Sequence, residues 1–464
     1  MTPSTGFCPE HKAIVDVSSR LATSGTHRLA VCALLFAPVL AVADDLKLED
    51  AIRRAWAANP GLAAASLQAQ ASRQQASSAE AGRLPTVALS ARGVETGEPM
   101  MAFGLRLDQQ RIAAVDLSPD RLNAPSFTGG LGLGATLTQP IYAGGRIMAG
   151  IRAARAQADA DGRTLERRRD EMALAVTEAY FGSLAAAQGL AYADDVLAHA
   201  RETERFVKDR NAKGVVLDAD VARAAAFRAQ AEADRATAEQ RLASARSALA
   251  LLSGEPARSA ALVTPIEGVP AGPESGAALE ARADLRAAGA RAEAAREMVG
   301  VERGSLLPQV FAQVSVETMR SAIDQGATWF TGVLVARWQL AVGDVRATEA
   351  ARLRASAAEA AARWQEQQAR REVEEARHAV EAADARVRSA AEAVAASESA
   401  RTLRDSRYRQ GLLPLTDVLD ADSALAGARA LLVRSRFEAR LARAVLQLAT
   451  GAHLEGVSLE GVKP

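Results

Sequence analysis

The chain has 464 residues, and its 56 Lys plus Arg balance 56 Asp plus Glu. That balance leaves no basic excess for a nucleic-acid partner and no acidic excess for storing cations. Hydrophobic residues make up 49% but aromatics only 4%, so the apolar mass is alanine, leucine and valine rather than the rings that anchor compact enzyme cores. Long helices packed closely side by side are the expected form, and the aliphatic content argues against disorder.

The first element is a targeting segment. Leu29 to Ala43 is uncharged and apolar, follows Arg28, and ends in Ala41-Val42-Ala43 before Asp44 and Asp45. It is too short for a permanent anchor, so residues 1–43 read as a signal peptide cleaved after Ala43. Both cysteines, Cys8 and Cys32, fall inside it. The exported chain then carries no disulfide and no thiol metal site. No later run is long and apolar enough for a transmembrane helix, so membrane insertion has to use strands.

The remainder divides into two repeats. In the first, residues 44–252, a helix opens at Asn59-Pro60-Gly61-Leu62 and ends at Arg83-Leu84-Pro85. A β-hairpin follows at about 85–139, then long helices at about 147–211 and 218–252. A Gly, Pro and Ser-rich linker spans 253–275. The second repeat, 276–451, opens a helix at Arg282-Ala283-Asp284-Leu285 and ends it at Leu306-Leu307-Pro308. Its hairpin is expected at about 308–339 and its long helices at about 345–410 and 416–450, before a tail over 452–464. The first hairpin carries extra residues between Arg92 and Thr128, expected to extend toward the cell exterior.

The long helices carry a narrow seam. Val373, Ala376, Val380, Ala383, Val387, Ala390 and Val394 alternate steps of three and four, a heptad pattern with small residues at one position. Met172, Val176, Ala179, Ser183, Ala186 and Leu190 form its counterpart. A soluble coiled coil explains this feature as well as any other reading. The strands separate the alternatives. Leu131, Leu133, Ala135 and Leu137 alternate with Gly130, Gly132, Gly134 and Thr136, and Val310, Ala312, Val314 and Val316 with Phe311, Gln313, Ser315 and Glu317. Such period-two segments fit a membrane β-barrel. Lipid tolerates no open sheet edge, so four strands per chain must close with strands of other copies. Trp329, Phe330 and Trp338 fall where an interfacial aromatic belt is expected.

Leu48-Glu49-Asp50-Ala51-Ile52 with Asn59-Pro60, Gln139-Pro140-Ile141-Tyr142-Ala143-Gly144-Gly145-Arg146, and Tyr408-Arg409-Gln410-Gly411 followed by Asp417-Val418-Leu419-Asp420-Ala421 resemble the signature segments of the TolC-like outer-membrane efflux proteins. The resemblance covers essentially all of the chain after residue 43. It implies a mainly α protein with a small transmembrane β part. Three copies would build a 12-stranded β-barrel, four strands from each, continued by a long periplasmic α-helical barrel. The implied function is a passive exit duct of a tripartite efflux or type I secretion system. The implied partners are two further copies of the chain, a periplasmic adaptor, an inner-membrane RND or ABC pump and outer-membrane lipid.

The resemblance also implies roles for individual residues. Asp417 and Asp420 match paired acidic positions of the periplasmic aperture, where three copies make two carboxylate rings. From position alone, both read first as ordinary acids complementing a helix N-terminus; the match to the family's aperture positions reverses that preference. Tyr408 matches a gate tyrosine and Asp220 its hydrogen-bonding partner, while Leu413 stands where some members carry an arginine latch. Gly214 and Gly411 mark the periplasmic turns, near which adaptors dock, and glycine suits the left-handed cap needed there.

Catalytic and metal-binding patterns are missing. His199, His378 and His453 are widely separated, and no HExxH, nucleophile elbow or phosphate loop occurs. The chain reads as a non-enzyme without cofactor, metal or nucleic-acid partner. The remaining alternative is an exported soluble coiled-coil adaptor or scaffold.

Overall fold

A computed structural model describes residues 45–266, 276–322 and 325–452. The expected signal peptide, the last nine residues of the expected linker, His453 and nearly all of the expected tail lie outside these residues.

A two-residue strand, β1 (Asp45–Leu46), leads into α1 (Leu48–Ala58) and α2 (Pro60–Ala81). Asn59 separates the helices: its Oδ1 accepts from the Gly61 and Leu62 amides at 2.8 and 3.2 Å, with Pro60 at the first helical position. Strand β2 (Thr86–Thr96) and strand β3 (Thr128–Ala143) flank an insert containing α3 (Pro99–Asp108) and α4 (Pro119–Asn123). Gly144 and Gly145, at φ +62° and +79°, turn β3 into α5 (Arg146–Ala212). Helix α6 (Asp218–Ser253) returns antiparallel. After β4 (Ala261–Leu262) the second half runs α7 (Ala283–Ser305), β5 (Gln309–Ala322), β6 (Gln325–Arg337), α8 (Val342–Arg409) and α9 (Leu415–Thr450).

Helices α5 and α8, of 67 and 68 residues, each extend about 100 Å at 1.5 Å per residue. Their alanines make the length possible, because alanine costs least in a helix and lets neighbours approach. On α8 the buried Ala369, Val373, Ala376, Ala383 and Ala390 follow the seam read from the sequence. Helix α5 is buried more broadly, with Ala173, Thr177, Tyr180 and Phe181 joining Val176 and Ser183. It packs against α1, α2, α6, α7 and α9, more neighbours than one heptad seam can serve.

The largest apolar cluster gathers Leu46, Leu48, Ile52, Val176, Tyr180, Phe181 and Leu249. Burying each such side chain contributes roughly 1.5–3 kcal/mol. The expected linker takes part: Ala257 and Ala260 are buried in this cluster, and β4 pairs in parallel with β1. A two-residue ladder is too short to display a period of two, so the sequence pattern could not reveal it.

The four longer strands form one antiparallel sheet in the order β2-β3-β5-β6. Its register shifts between Pro140 and Tyr142, where proline cannot donate to the ladder. One face carries Val87, Leu89, Leu133, Leu137, Val314, Phe330 and Leu334, several of them exposed, Leu89 at 81%. The other carries Ser90, Arg92, Gly132, Gly134, Thr136, Gln313, Ser315 and Glu317, paired across the register. Ser315 and Met319 on this second face are buried while the apolar face is largely exposed, as expected of the concave side of a twisted sheet. Trp329 pairs with Glu317 and so lies on the polar face, whereas Phe330 lies on the apolar one. Adjacent strand residues alternate faces, so Trp329 cannot belong to a lipid-facing belt. Trp338 is exposed just beyond β6 and donates through Nε1 to the Leu306 carbonyl at 3.1 Å.

Candidate functional site: helical tip and membrane sheet

At the end of the molecule opposite the sheet, each long helix pair reverses through a glycine. Gly214 has φ +71° and Gly411 φ +77°. The Gly214 amide bonds the Asn211 carbonyl at 2.8 Å and the Val215 amide the Arg210 carbonyl at 3.0 Å. Gly411 and Leu412 repeat this with Tyr408 and Arg407, both at 2.9 Å. Such paired bonds close a helix C-terminus around a left-handed residue. Leu413 is half-buried in the second turn.

Tyr408 sits one turn above this reversal in a cluster with Val207, Ala224, Leu415, Val418 and Leu419. Its ring meets Phe206 edge-on at 5.9 Å. The hydroxyl is buried and has no hydrogen-bond partner among the described residues. The Tyr408–Asp220 hydrogen bond expected from the sequence is therefore not made within the chain, because the tyrosine points into the apolar cluster. Burial raises the pKa of the Tyr408 hydroxyl, and the nearby negative charge of Asp220 raises it further. Asp220 is half-buried in the first turn of α6.

Around this cluster lies a clamp that sequence reasoning missed. Arg210 of α5 donates to the carbonyls of Tyr408 and Arg409 on α8, at 3.5 and 3.1 Å. The guanidiniums of Arg210 and Arg409 stand 5.0 and 5.5 Å from the Phe206 ring centre, within cation–π range. Arg409 also pairs with Glu202 at 3.0 Å and Asp405 at 2.9 Å. The sole sequence signal was an arginine close before each turn.

Asp417 is half-buried and Asp420 exposed on the opening turns of α9. Arg404 donates to the Asp417 backbone carbonyl at 3.3 Å. Pro414 precedes the helix without a side-chain cap, so Asp417 also complements its exposed amides. Asp422, which drew no attention in the sequence, is buried further along α9 and accepts from Arg401 Nε at 2.9 Å. Burial pushes its carboxyl above the usual range, with Asp405 adding to the rise, although Arg401 and His199 oppose it. Among the described residues no group of His, Cys, Asp and Glu is placed to hold a metal ion, and no helix is long and apolar enough to cross a membrane.

The pattern of the outer membrane efflux protein family matches residues 51–255 and 275–452. The chain belongs to this family. The family places it in the outer membrane, with the long helices forming a periplasmic extension. Its fold resembles the CmeC outer membrane channel of Campylobacter jejuni, with a TM-score of 0.77 at 17% identity over 89% of this chain and 87% of that one. It also resembles the outer membrane protein VceC of Vibrio cholerae, at 0.75 and 22% over 88% and 97%. The open-state MtrE outer membrane channel of Neisseria gonorrhoeae gives 0.73 and 23% over 88% and 89%. No curated protein sequence matches the chain.

Proposed function

We propose that three copies of this chain close their sheets into one twelve-stranded barrel and their helices into a periplasmic tube. The product is a passive exit duct for a tripartite efflux or type I secretion system. The observation that carries this reading is the four-stranded sheet: it has one exposed apolar face, one polar concave face and, among the described residues, two unpaired edges, on β2 and β6. In lipid those edges need partners, and neighbouring copies supply them.

A periplasmic adaptor and an inner-membrane RND or ABC pump would load the tube near the Gly214 and Gly411 turns. Asp417 and Asp420 would ring the aperture there, and the Tyr408 cluster with Asp220 and Leu413 would hold it shut. The work of transport belongs to the pump, so the duct needs no catalytic residue. Purified protein should run as a detergent-solubilised trimer and conduct ions in planar bilayers. A soluble periplasmic monomer would instead support the coiled-coil adaptor reading.

A further inference from the structure

The glycine run of β3 is not explained by spanning lipid, since glycine weakens a strand. Its alternate glycines, Gly130, Gly132 and Gly134, share the concave face with Arg92, Glu317 and Met319. A Cβ on Gly130 would lie 2.5 Å from Gln109 Nε2 and 3.0 Å from Met319 Sδ, and one on Gly132 would lie 3.0 Å from Arg92 Cγ. The trough is filled, and part of what fills it comes from the insert between β2 and β3.

That insert is built as a rigid piece. Glu98 caps α3 by accepting from the Met101 amide at 3.0 Å, and its own amide bonds Thr96 Oγ1 at 3.0 Å. Arg106 donates to Asp116 at 2.6 Å, Ser126 at 2.8 Å and Thr128 at 3.2 Å. Gln109, almost wholly buried, donates from Nε2 to the Gly129 carbonyl at 2.9 Å. All these anchors lie at the sheet end remote from the long helices, and Thr128 and Gly130 both point to the concave face. On its free side the insert exposes Met100, Met101, Leu107, Val115 and Leu117.

We infer that residues 97–127 form a cap seated inside the outer mouth of the barrel, with the Gly130–Gly132 trough as its socket. Three such caps meet through their exposed methionines and aliphatics and set the largest solute that passes between duct and exterior. The inference rests on the channel reading above.

Cys8 and Cys32 are the only cysteines and precede the described residues. A cysteine introduced as Thr136→Cys, on the concave face below the cap, can therefore be read against the parent protein. Intact cells are treated with a small maleimide or a bulky polyethylene-glycol maleimide added from outside. With the cap in place the bulky reagent should react at least about tenfold more slowly than in a variant with residues 99–125 replaced by a short Gly-Ser link. Gly130→Val, which displaces Gln109 but keeps the insert, should speed the reaction similarly and guards against a deletion that misfolds. Equal rates for the bulky reagent with and without the cap overturn the inference. If the capless variant stays unlabelled in intact cells but labels after lysis, the channel reading itself fails, and the cap with it.

Discussion

Tyr180 on α5 donates its hydroxyl hydrogen to the Leu46 carbonyl on β1 at 2.7 Å and accepts from the Thr264 amide at 2.9 Å. One buried phenol thereby joins the beginning of the first half to the segment leading into the second. Replacing Tyr180 by Phe leaves a buried carbonyl and a part-buried amide without that partner, at a cost of about 1–3 kcal/mol. Thermal unfolding in detergent, followed by tryptophan fluorescence, should show a lower midpoint for this variant and unchanged helical content.

Tyr408 predicts the opposite. Its buried hydroxyl has no partner among the described residues, so Tyr408→Phe removes an unsatisfied group and should leave stability equal or up to about 1 kcal/mol higher. Closed-state conductance in planar bilayers should stay at the parent level. Arg210→Ala, which releases the α8 carbonyls and the Phe206 stack, should instead raise it. A conductance rise on Tyr408→Phe would show that the hydroxyl bonds across copies in the assembled duct.

Asp422 sets a pH dependence at the α8–α9 contact. Its carboxyl titrates higher in the folded chain than the ordinary 3.8, so the folded state binds the extra proton. The stabilisation from that proton is complete below the ordinary value and is lost as pH rises through the shifted one. Opening of α8 and α9 near Arg401, measured by hydrogen exchange, should become easier across that rise. Asp422→Asn should flatten the profile. Arg401→Ala, which leaves the buried carboxylate unpaired, should destabilise by about 3 kcal/mol at neutral pH.

The tip glycines are conformational rather than steric requirements. Among the described residues nothing lies within 4 Å of a Cβ placed on Gly411, yet its φ is +77°. Gly411→Ala should therefore cost about 1–2 kcal/mol. Gly411→Asn should cost less, since asparagine tolerates the left-handed region. Midpoints of unfolding in denaturant give the comparison directly.

The two sheet faces should answer differently to charge. Leu89→Arg on the apolar face should cost about 2–4 kcal/mol if it lies near the bilayer centre, read as loss of heat-resistant trimer from outer-membrane fractions. Thr136→Arg on the concave face should assemble normally and shift the cation-to-anion permeability ratio.

The fold class was legible because two periodicities survive in the chain. The period of two in Leu131 to Leu137 and the three-four seam of Val373 to Ala390 each map onto one element type. Turn chemistry at Gly214, Gly411 and Pro140 punctuates them. The tip was only partly legible. Gly214, Gly411 and Tyr408 stand out locally, but the clamp of Arg210 on the Tyr408 carbonyl joins helices distant in sequence. No local pattern encodes such a pairing, and the burial of Asp422 is likewise decided by α5 and α8 together. The insert was opaque for a different reason: short helices capped by Glu98 and held by Arg106 carry no long period. Trp329 and Phe330 were read as one belt because composition ignores which face a strand residue takes.

The β1–β4 ladder also bears on how the chain is made. A polypeptide delivered to the periplasm from its N-terminus releases Asp45 and Leu46 early, but their partners Ala261 and Leu262 emerge only after α5 and α6 have been exported. Leu46 must wait uncovered until then, with Tyr180 held in the same suspense. Pairing across such a separation is slow to form. The first repeat therefore completes its core late in synthesis, a delay during which exported chaperones have reason to hold it.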